Sequence, residues 1–285
     1  MLGPEHPDTL SSRAGLAVVL SRQGQFWDSE LEYRQILKIR EKVQGPTHPS
    51  TLRTRMGLAN VLVEQARYEE AEPVYRETIK LNEKTLGPEH PTTLRGSMGL
   101  ANLLFYQGKY DEAAALYREI TKLSEKTVRE DHPQTLQARA GLAEVLLQQG
   151  KYDEAETEGR LVAALQEKVI GPEHPNTLKT RYNLANTLAR KGNYQGAEAE
   201  FREVLALDEK VLGPEHPDTL RTCLGLADCL SRDDKVEEAR KFASRALEGM
   251  RKVFRPGHPT TRQAEKLQSD LEAKRASGPP AQAGG

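Results

Sequence analysis

The sequence predicts an all-α solenoid assembled from repeated pairs of helices. Three observations support this fold class. The chain of 285 residues has seven histidines, and each lies 42 residues after the previous one. Apolar residues recur between them at helical spacing, without the alternation of a strand. A short break at a constant place divides each repeat into two helices, and a fixed period of about 20–50 residues is typical of solenoids and arrays.

We number each repeat from its histidine as position zero, and call its first helix A and its second helix B. Helix A has apolar residues at +4, +10, +11, +14 and +18, and helix B at +20, +23, +27, +30 and +31. The break between them reads Gly108-Lys109-Tyr110-Asp111 in the third repeat. Glycine there suits a left-handed helix end and a tight turn. Small residues at +11 and +23 let the two helices pack closely.

The segment around each histidine is predicted to connect helix B to the next helix A. GPEHPDTL stands at residues 3–10 and again at 213–220. Pro7 suits the first helical position because proline has no N–H to donate there, and Gly3-Pro4 ends the preceding helix. We expect the side chains at +2 and +3 to cap the free N–H groups of the first turn.

A metal site is the alternative explanation of the seven histidines. Zinc ligands must lie about 2 Å from one ion, whereas equivalent residues of stacked repeats are roughly 8–10 Å apart. Neighbouring histidines therefore cannot share an ion, and we interpret them as structural. The sequence also has no phosphate-binding glycine loop, nucleophile elbow or HExxH motif. We expect no cofactor, no metal and no enzymatic activity.

Bulk composition gives no sign of a nucleic-acid or membrane partner. The net charge is −1, so no overall field attracts polyanions. Cys223 and Cys229 are predicted to be free thiols in a reducing compartment. No segment resembles a signal peptide or a transmembrane span, so we expect a cytoplasmic protein. The predicted organisation is six repeats over residues 1–254, a C-terminal capping helix over 255–276 and a disordered tail over 277–285.

The segments GLANLLFYQGKYDEAAALYREI and VLGPEHPDTL resemble tetratricopeptide repeats. The usual repeat of that family has 34 residues. The 42-residue period resembles the kinesin light chain type, and also arrays found C-terminal to nucleotide-binding signalling domains in fungi and bacteria. The chain reads HPDTL where kinesin light chains read HPDVA, and has glycine at +9 where they have consecutive asparagines, which favours the signalling group. The resemblance covers residues 1 to about 270 and implies a right-handed solenoid.

Two recurring sets of arginine are assigned to structure. Those at +7 point toward the apolar stripe, so we expect buried stems and guanidinium groups paired near the linker. Those at +28 follow a glutamate at +24 in most repeats, which is the spacing of an exposed i,i+4 ion pair. The +7 set is Arg13, Arg55, Arg139 and Arg181.

Helix A is expected to carry the binding surface, because the resemblance places it on the concave side of the solenoid. We define the A-helix face as positions +5, +9, +12 and +16, which lie opposite the apolar stripe. Over six repeats it has seven basic and three acidic residues. We expect its glycines at +9 to form a floor that a partner's backbone can approach. The candidate binding residues are Arg53, Asn60, Arg95, Asn102, Tyr106, Lys179, Asn183, Asn186, Arg190 and Arg221.

The predicted function is a scaffold that binds a peptide or protein of acidic character in this mildly basic groove. Nucleic acid and membranes are not expected as partners, and self-association is possible. Two alternatives stay open from the resemblance. One is the sensor array of a larger nucleotide-binding signalling protein, and the other is a cargo adaptor like kinesin light chain.

Overall fold

A computed structural model of the chain describes residues 3–277 and confirms the all-α prediction. Within that range 13 helices follow one another as helix-turn-helix repeats. The A helices are α1 (Pro7–Arg22), α3 (Pro49–Glu64), α5 (Pro91–Tyr106), α7 (Pro133–Gln148), α9 (Pro175–Lys191), α11 (Pro217–Arg232) and α13 (Pro259–Ser277). The B helices are α2 (Phe26–Val43), α4 (Tyr68–Leu86), α6 (Tyr110–Thr127), α8 (Tyr152–Ile170), α10 (Tyr194–Val211) and α12 (Val236–Val253).

The chain forms two compact units. Unit 1 ends at Val145 and unit 2 begins at Leu146, so the boundary falls in α7. Within unit 1, each helix from α1 to α5 packs against the next one. Within unit 2, each helix from α8 to α12 does the same. The predicted tail lies outside the described residues, apart from Ser277 at the end of α13.

The small side chains predicted between helices A and B are buried. Ala71, Ala113 and Ala197, all at +23, are fully buried in three of the B helices. Ser29 takes this place in the first repeat, and its hydroxyl donates to the carbonyl of Ala17 at 2.7 Å. That distance places the two helix axes close together, as small residues at a helix crossing allow. None of the helices within residues 3–277 combines the length and apolar character needed to cross a bilayer.

Each histidine is the N-cap of the A helix that follows it. In all seven copies its Nδ1 accepts a hydrogen bond from the backbone N–H at +2. In the third repeat, the N–H of Thr92 donates to Nδ1 of His90 at 3.1 Å. Proline follows at the first helical position, as predicted. The structural interpretation of the histidines is therefore confirmed. The expectation that the +2 and +3 side chains cap the helix is wrong, because the imidazole occupies that place.

The threonine at +3 has a different task. The Thr93 hydroxyl donates to the carbonyl of Gly87 at 2.8 Å, and Thr177 and Thr219 repeat this bond to the glycine six residues earlier. The bond closes the linker by joining the start of helix A to the end of the preceding helix B. Histidine and threonine together thus account for the repetition of the HPxTL sequence.

Replacing His90 with alanine is expected to destabilise unit 1 by about 1 kcal/mol, the usual contribution of an N-cap. Asparagine at the same place should restore most of this stability, because its side chain also accepts from the first turn. Thr92→Ala is the matched control and should be nearly neutral, since only the backbone of Thr92 takes part. Urea unfolding followed by circular dichroism measures all three. A larger loss in Thr92→Ala than in His90→Ala would contradict the capping role.

The turn between helices A and B has the left-handed conformation predicted at +18. Gly24, Gly108, Gly150 and Gly192 have φ between 74° and 90°. The second repeat has Ala66 there, with φ 57°, and the sixth has an aspartate. A side chain in this region is strained by about 1–2 kcal/mol relative to glycine.

Ala66→Gly is therefore expected to stabilise unit 1 by about 1 kcal/mol, because it removes strain in a turn whose shape does not change. Gly108→Ala, at the same place one repeat later, should have the opposite sign. The midpoint of thermal unfolding of the two variants checks both signs. Lower stability of Ala66→Gly would show that the turn there is held by the alanine side chain.

The arginines at +7 are half-buried or buried, as expected, but their partners lie on B helices rather than in the linker. Arg55 reaches Glu41 at 2.6 Å and Glu77 at 2.8 Å. Arg181 lies 2.8 Å from Glu200 and also pairs with Glu203. Each such arginine thus connects an A helix to the B helices around it. The i,i+4 pairs predicted between +24 and +28 are confirmed in four repeats.

Candidate functional site

The A-helix face is solvent-accessible along its +5 row. In unit 1 this row contains Arg53 on α3 and Arg95 on α5, and both are exposed. In unit 2 it contains Lys179 on α9 and Arg221 on α11, which are also exposed. The four side chains project from the second turn of their helices, which the histidine cap and proline fix in the same register. Each unit therefore presents its own pair of cations.

Three of these cations have no carboxylate partner. Within residues 3–277, no ion pair forms at Arg53, Arg95 or Lys179. Arg221 differs, because its guanidinium lies 3.0 Å from Asp218 one turn earlier. The arginines at +7 are held by glutamates, so their charge is neutralised within the fold. In the first two turns of these A helices, the charge available to a partner therefore lies on the +5 row.

The other end of the A-helix face is less basic. Partial burial raises the pKa of the Tyr106 hydroxyl, and the negative charges of Glu144 and Glu64 raise it further. In unit 2, Asp228 pairs with Arg232 at 2.8 Å, whereas Arg190 is exposed and makes no ion pair among the described residues. A carboxylate is thus favoured at the +5 row and disfavoured beside Tyr106.

Tyr106 is the largest exposed aromatic side chain of the A-helix face in unit 1. It is 59% exposed, although a tyrosine is usually more buried in a folded domain. Its ring stacks on Tyr68 with a centroid distance of 6.1 Å and an interplanar angle of 10°. Phe105 meets the same ring edge-on at 5.7 Å. The stacking fixes Tyr106 in place and leaves its outer surface for contact with a partner.

Four of the five glycines at +9 do not form an open floor, so that part of the prediction is wrong; at the fifth, Gly15, nothing lies within 4 Å of an added Cβ. A Cβ placed on Gly99 would lie 2.6 Å from Cε1 of Tyr75, and one on Gly57 the same distance from Cε1 of Tyr33. Tyr117 stands against Gly141 in the same way, as does Phe201 against Gly225. Each glycine therefore accommodates an aromatic ring from +27 of the preceding repeat rather than the backbone of a partner.

In unit 1, Asn60 and Asn102 each hold the aromatic ring of their own repeat by a hydrogen bond. The Tyr75 hydroxyl donates to Oδ1 of Asn60, and the Tyr117 hydroxyl donates to Oδ1 of Asn102 at 2.6 Å. Burial raises the pKa of both tyrosines. Both asparagines are nevertheless exposed, so their amide groups face solvent. Their side-chain oxygens accept hydrogen bonds from the tyrosines, so only the NH2 groups are available to a partner.

Unit 2 departs from this arrangement at one interface. Gly159 takes the +27 place of the aromatic ring, and Asn183 takes the +9 place of the glycine in the next repeat. The two changes compensate, because removal of the ring leaves room for a side chain. Asn183 is half-buried, and the Asn186 amide donates to the carbonyl of Tyr182 at 3.1 Å. Neither of these predicted contact residues is as accessible as Lys179.

The aromatic residues at +27 were not predicted to lie next to the A-helix face, because the apolar pattern places them only in the stripe of helix B. Their pairing with the glycine at +9 is visible in the sequence itself, because both positions change together at Gly159 and Asn183. That joint exception is the signal that a ring and a glycine are in contact.

Other chemistry is not apparent on the described part of the chain. Among residues 3–277, no three His, Cys, Asp or Glu side chains are arranged to hold a metal ion. Cys223 and Cys229 are free thiols, as predicted, and both are buried. Burial raises the pKa of each to about 11. Neither is therefore an activated nucleophile.

The family is established by sequence comparison. The sequence model of the tetratricopeptide repeat matches in overlapping segments at 29–84, 50–126, 93–160, 134–210 and 180–252. The chain therefore belongs to the tetratricopeptide repeat family. Proteins of this family are generally non-catalytic scaffolds that bind proteins or peptides.

Solved structures place kinesin light chain-like proteins among its neighbours. The nearly identical TPR-like repeats of such a protein from Podosopora anserina are 29% identical, with a TM-score of 0.66, and the match covers 72% of this chain and 97% of that one. BtubC (BKLC) from P. vanneervenii is 19% identical at a TM-score of 0.66, covering 84% and 94%. RapI in its apo form is 12% identical at 0.66, covering 94% and 99%. The last two show the fold alone. A search of curated proteins gave no significant match.

Proposed function

We propose that the chain is a scaffold that binds acidic peptide segments through the +5 row of its A helices. The observation that carries this proposal is that the fold pairs some of its cations with glutamates and leaves others exposed. Arginines at +7 and +28 are engaged by glutamates of the fold, whereas Arg53, Arg95 and Lys179 are exposed without a carboxylate partner among residues 3–277. A cation that the fold leaves unpaired is available to an anionic partner.

The ligand contacts follow from the chemistry of the row. Carboxylates of the partner lie against the guanidinium groups of Arg53 and Arg95 in unit 1, and against Lys179 in unit 2. The exposed amide groups of Asn60 and Asn102 donate to main-chain carbonyls of the partner. Because glutamates lie near Tyr106, the acidic residues of the peptide avoid that end, and its apolar or aromatic side chains contact the ring instead.

Fluorescence anisotropy with a labelled hexaglutamate peptide and a hexaglutamine control tests this proposal. The wild-type chain should bind the first peptide and not the second, with an affinity that falls as salt rises. Arg53→Gln with Arg95→Gln tests unit 1, and Lys179→Gln with Arg190→Gln tests unit 2. Each pair should weaken binding about tenfold, since one exposed charge contributes up to about 1 kcal/mol.

The matched control is Arg34→Gln with Arg76→Gln, which removes two arginines on B helices that pair with Glu30 and Glu72. It changes the net charge by the same amount as the unit 1 pair. Equal weakening by both pairs would show that binding depends on net charge alone, and equal affinity for hexaglutamine would remove the acidic preference. Circular dichroism confirms that the helices of each variant are intact.

A further inference from the structure

One buried cation of unit 1 has no counter-ion among the residues that the structure describes. Arg40, near the end of α2, is only 4% exposed and extends between α1 and α3. Its Nη1 donates to the carbonyl of Ser50 at 2.8 Å and to the Thr54 hydroxyl at 2.7 Å, and its Nη2 donates to the Ser11 hydroxyl at 3.3 Å. Nε makes no hydrogen bond within the described residues. All acceptors are neutral, so a permanent positive charge is buried without an anion.

The stacking of the repeats does not require this charge. Arg40 is at position +34, where later repeats have other buried residues. Met250 is the buried residue at this position in the sixth repeat, and Asp208 in the fifth accepts from the Thr222 hydroxyl at 2.7 Å. Arginine at this place is therefore not a packing necessity. Since a buried charge without a partner is strongly disfavoured, the arrangement is incomplete without an anion.

A second cation, Arg53, directly precedes Thr54, whose hydroxyl accepts from Arg40. Burial lowers the pKa of Arg40, and the charge of Arg53 on the exposed A-helix face lowers it further. Ser11, at +5 on α1, is exposed and joins Arg40 to the surface, because its hydroxyl accepts from Nη2 of Arg40 while it donates to the carbonyl of Pro7 at 2.8 Å. The exposed guanidinium group of Arg53 and the Ser11 hydroxyl thus stand in the second turns of α3 and α1, with the buried guanidinium group of Arg40 between these helices. No carboxylate is paired to either arginine among residues 3–277.

We propose that Ser11, Arg40 and Arg53 form an oxyanion site that takes one side-chain carboxylate of the bound peptide. The proposal deepens the proposed function and rests on it for the source of the carboxylate. Arg53 contacts the anion at the surface, and the Ser11 hydroxyl turns from the carbonyl of Pro7 to donate to it. Arg40 attracts the anion from beneath through this hydroxyl. Guanidinium groups suit this task because their planar donor sets match the two oxygens of a carboxylate. The site defines where on unit 1 the acidic residue of the partner is placed.

The test uses the full chain with substitutions whose new side chains already occur at the same position of other repeats. Arg40→Met and Arg40→Gln copy Met250 and Gln166 from position +34, and Arg53→Gln copies Gln137 from position +5. Arg95→Gln is the matched control. It removes the same exposed charge one repeat later, where the buried residue beneath is the neutral Asn82. The probes are hexaglutamate and inorganic phosphate, titrated calorimetrically at constant ionic strength.

We expect each Arg40 variant and Arg53→Gln to weaken hexaglutamate binding by about fivefold, and Arg95→Gln by about twofold or less. Two Arg40 variants are used so that one that fails to fold does not decide the result. Wild-type-like binding by the folded Arg40 variants would overturn the site and leave the proposed function standing. Equal loss in Arg53→Gln and Arg95→Gln would do the same.

The phosphate titration separates the sources of the anion. Phosphate binding that is tighter than hexaglutamate binding and depends on Arg40 would overturn the assignment to a peptide carboxylate. If wild-type chain binds neither probe, both the site and the proposed acidic partner fail. Weak phosphate binding with strong, Arg40-dependent hexaglutamate binding is the result that supports the proposal.

Discussion

Gly99→Ala is expected to destabilise unit 1 by about 1–3 kcal/mol, the usual result of overpacking a well-filled interior. The new Cβ would lie 2.6 Å from the ring of Tyr75, which is 2% exposed and held at its hydroxyl by Asn60. The ring cannot move away without breaking that hydrogen bond and shifting its neighbours. Gly15→Ala is the matched control at the same repeat position, where nothing lies within 4 Å of the added atom.

The control should have the opposite sign. Glycine inside a helix is less stable than alanine by about 0.5–1 kcal/mol, so Gly15→Ala is expected to stabilise the first repeat. Urea unfolding of the two variants measures the difference directly. A double-mutant cycle with Tyr75→Ala isolates the contact, because Gly99→Ala should cost nothing once the ring is gone. Equal effects of Gly99→Ala with and without Tyr75 would contradict the packing of ring on glycine.

The fold was predictable because its signals are local and repeated. The proline at the start of each A helix and the glycine at +18 mark helix boundaries through their own backbone preferences. The structure begins α3 at Pro49 and turns at Gly108, as predicted. What local reasoning missed was the capping atom. Aspartate, serine and threonine are the common N-caps, and only the structure shows Nδ1 of His90 in their place.

The candidate site was less predictable because its contacts join residues far apart in the chain. Arg53 and Arg55 look alike in the sequence, yet Arg55 is neutralised by Glu41 and Glu77 while Arg53 stays unpaired among the described residues. Which of two arginines is free depends on the stacking of the helices, and spacing along one helix does not reveal it. The prediction of an open floor at the +9 glycines was wrong for the same reason. The missing side chain of such a glycine makes room for a neighbour, and the sequence does not say whether that neighbour is a ring or a partner.

The second large effect is expected at Leu58, which stands at +10 on α3 and is 4% exposed. Leu58→Ala should destabilise unit 1 by about 2–5 kcal/mol, since it removes buried apolar area and leaves a cavity. Leu16 has the same repeat position on α1 but is 50% exposed. Leu16→Ala should therefore cost less than about 1 kcal/mol, as surface substitutions usually do.

The two leucines differ only in what covers them. Leu184, at the same repeat position on α9, lies against Gly159 of the preceding B helix, whereas no described helix precedes α1. Leu58, Leu100 and Leu226 are buried in the same way as Leu184. The comparison therefore measures how much of a repeat's stability comes from the interface with its neighbour rather than from its own helix pair, as expected for a linear array. Urea unfolding at several protein concentrations separates the outcomes. A loss in Leu16→Ala as large as in Leu58→Ala, and dependent on concentration, would mean that a second copy covers α1 in solution.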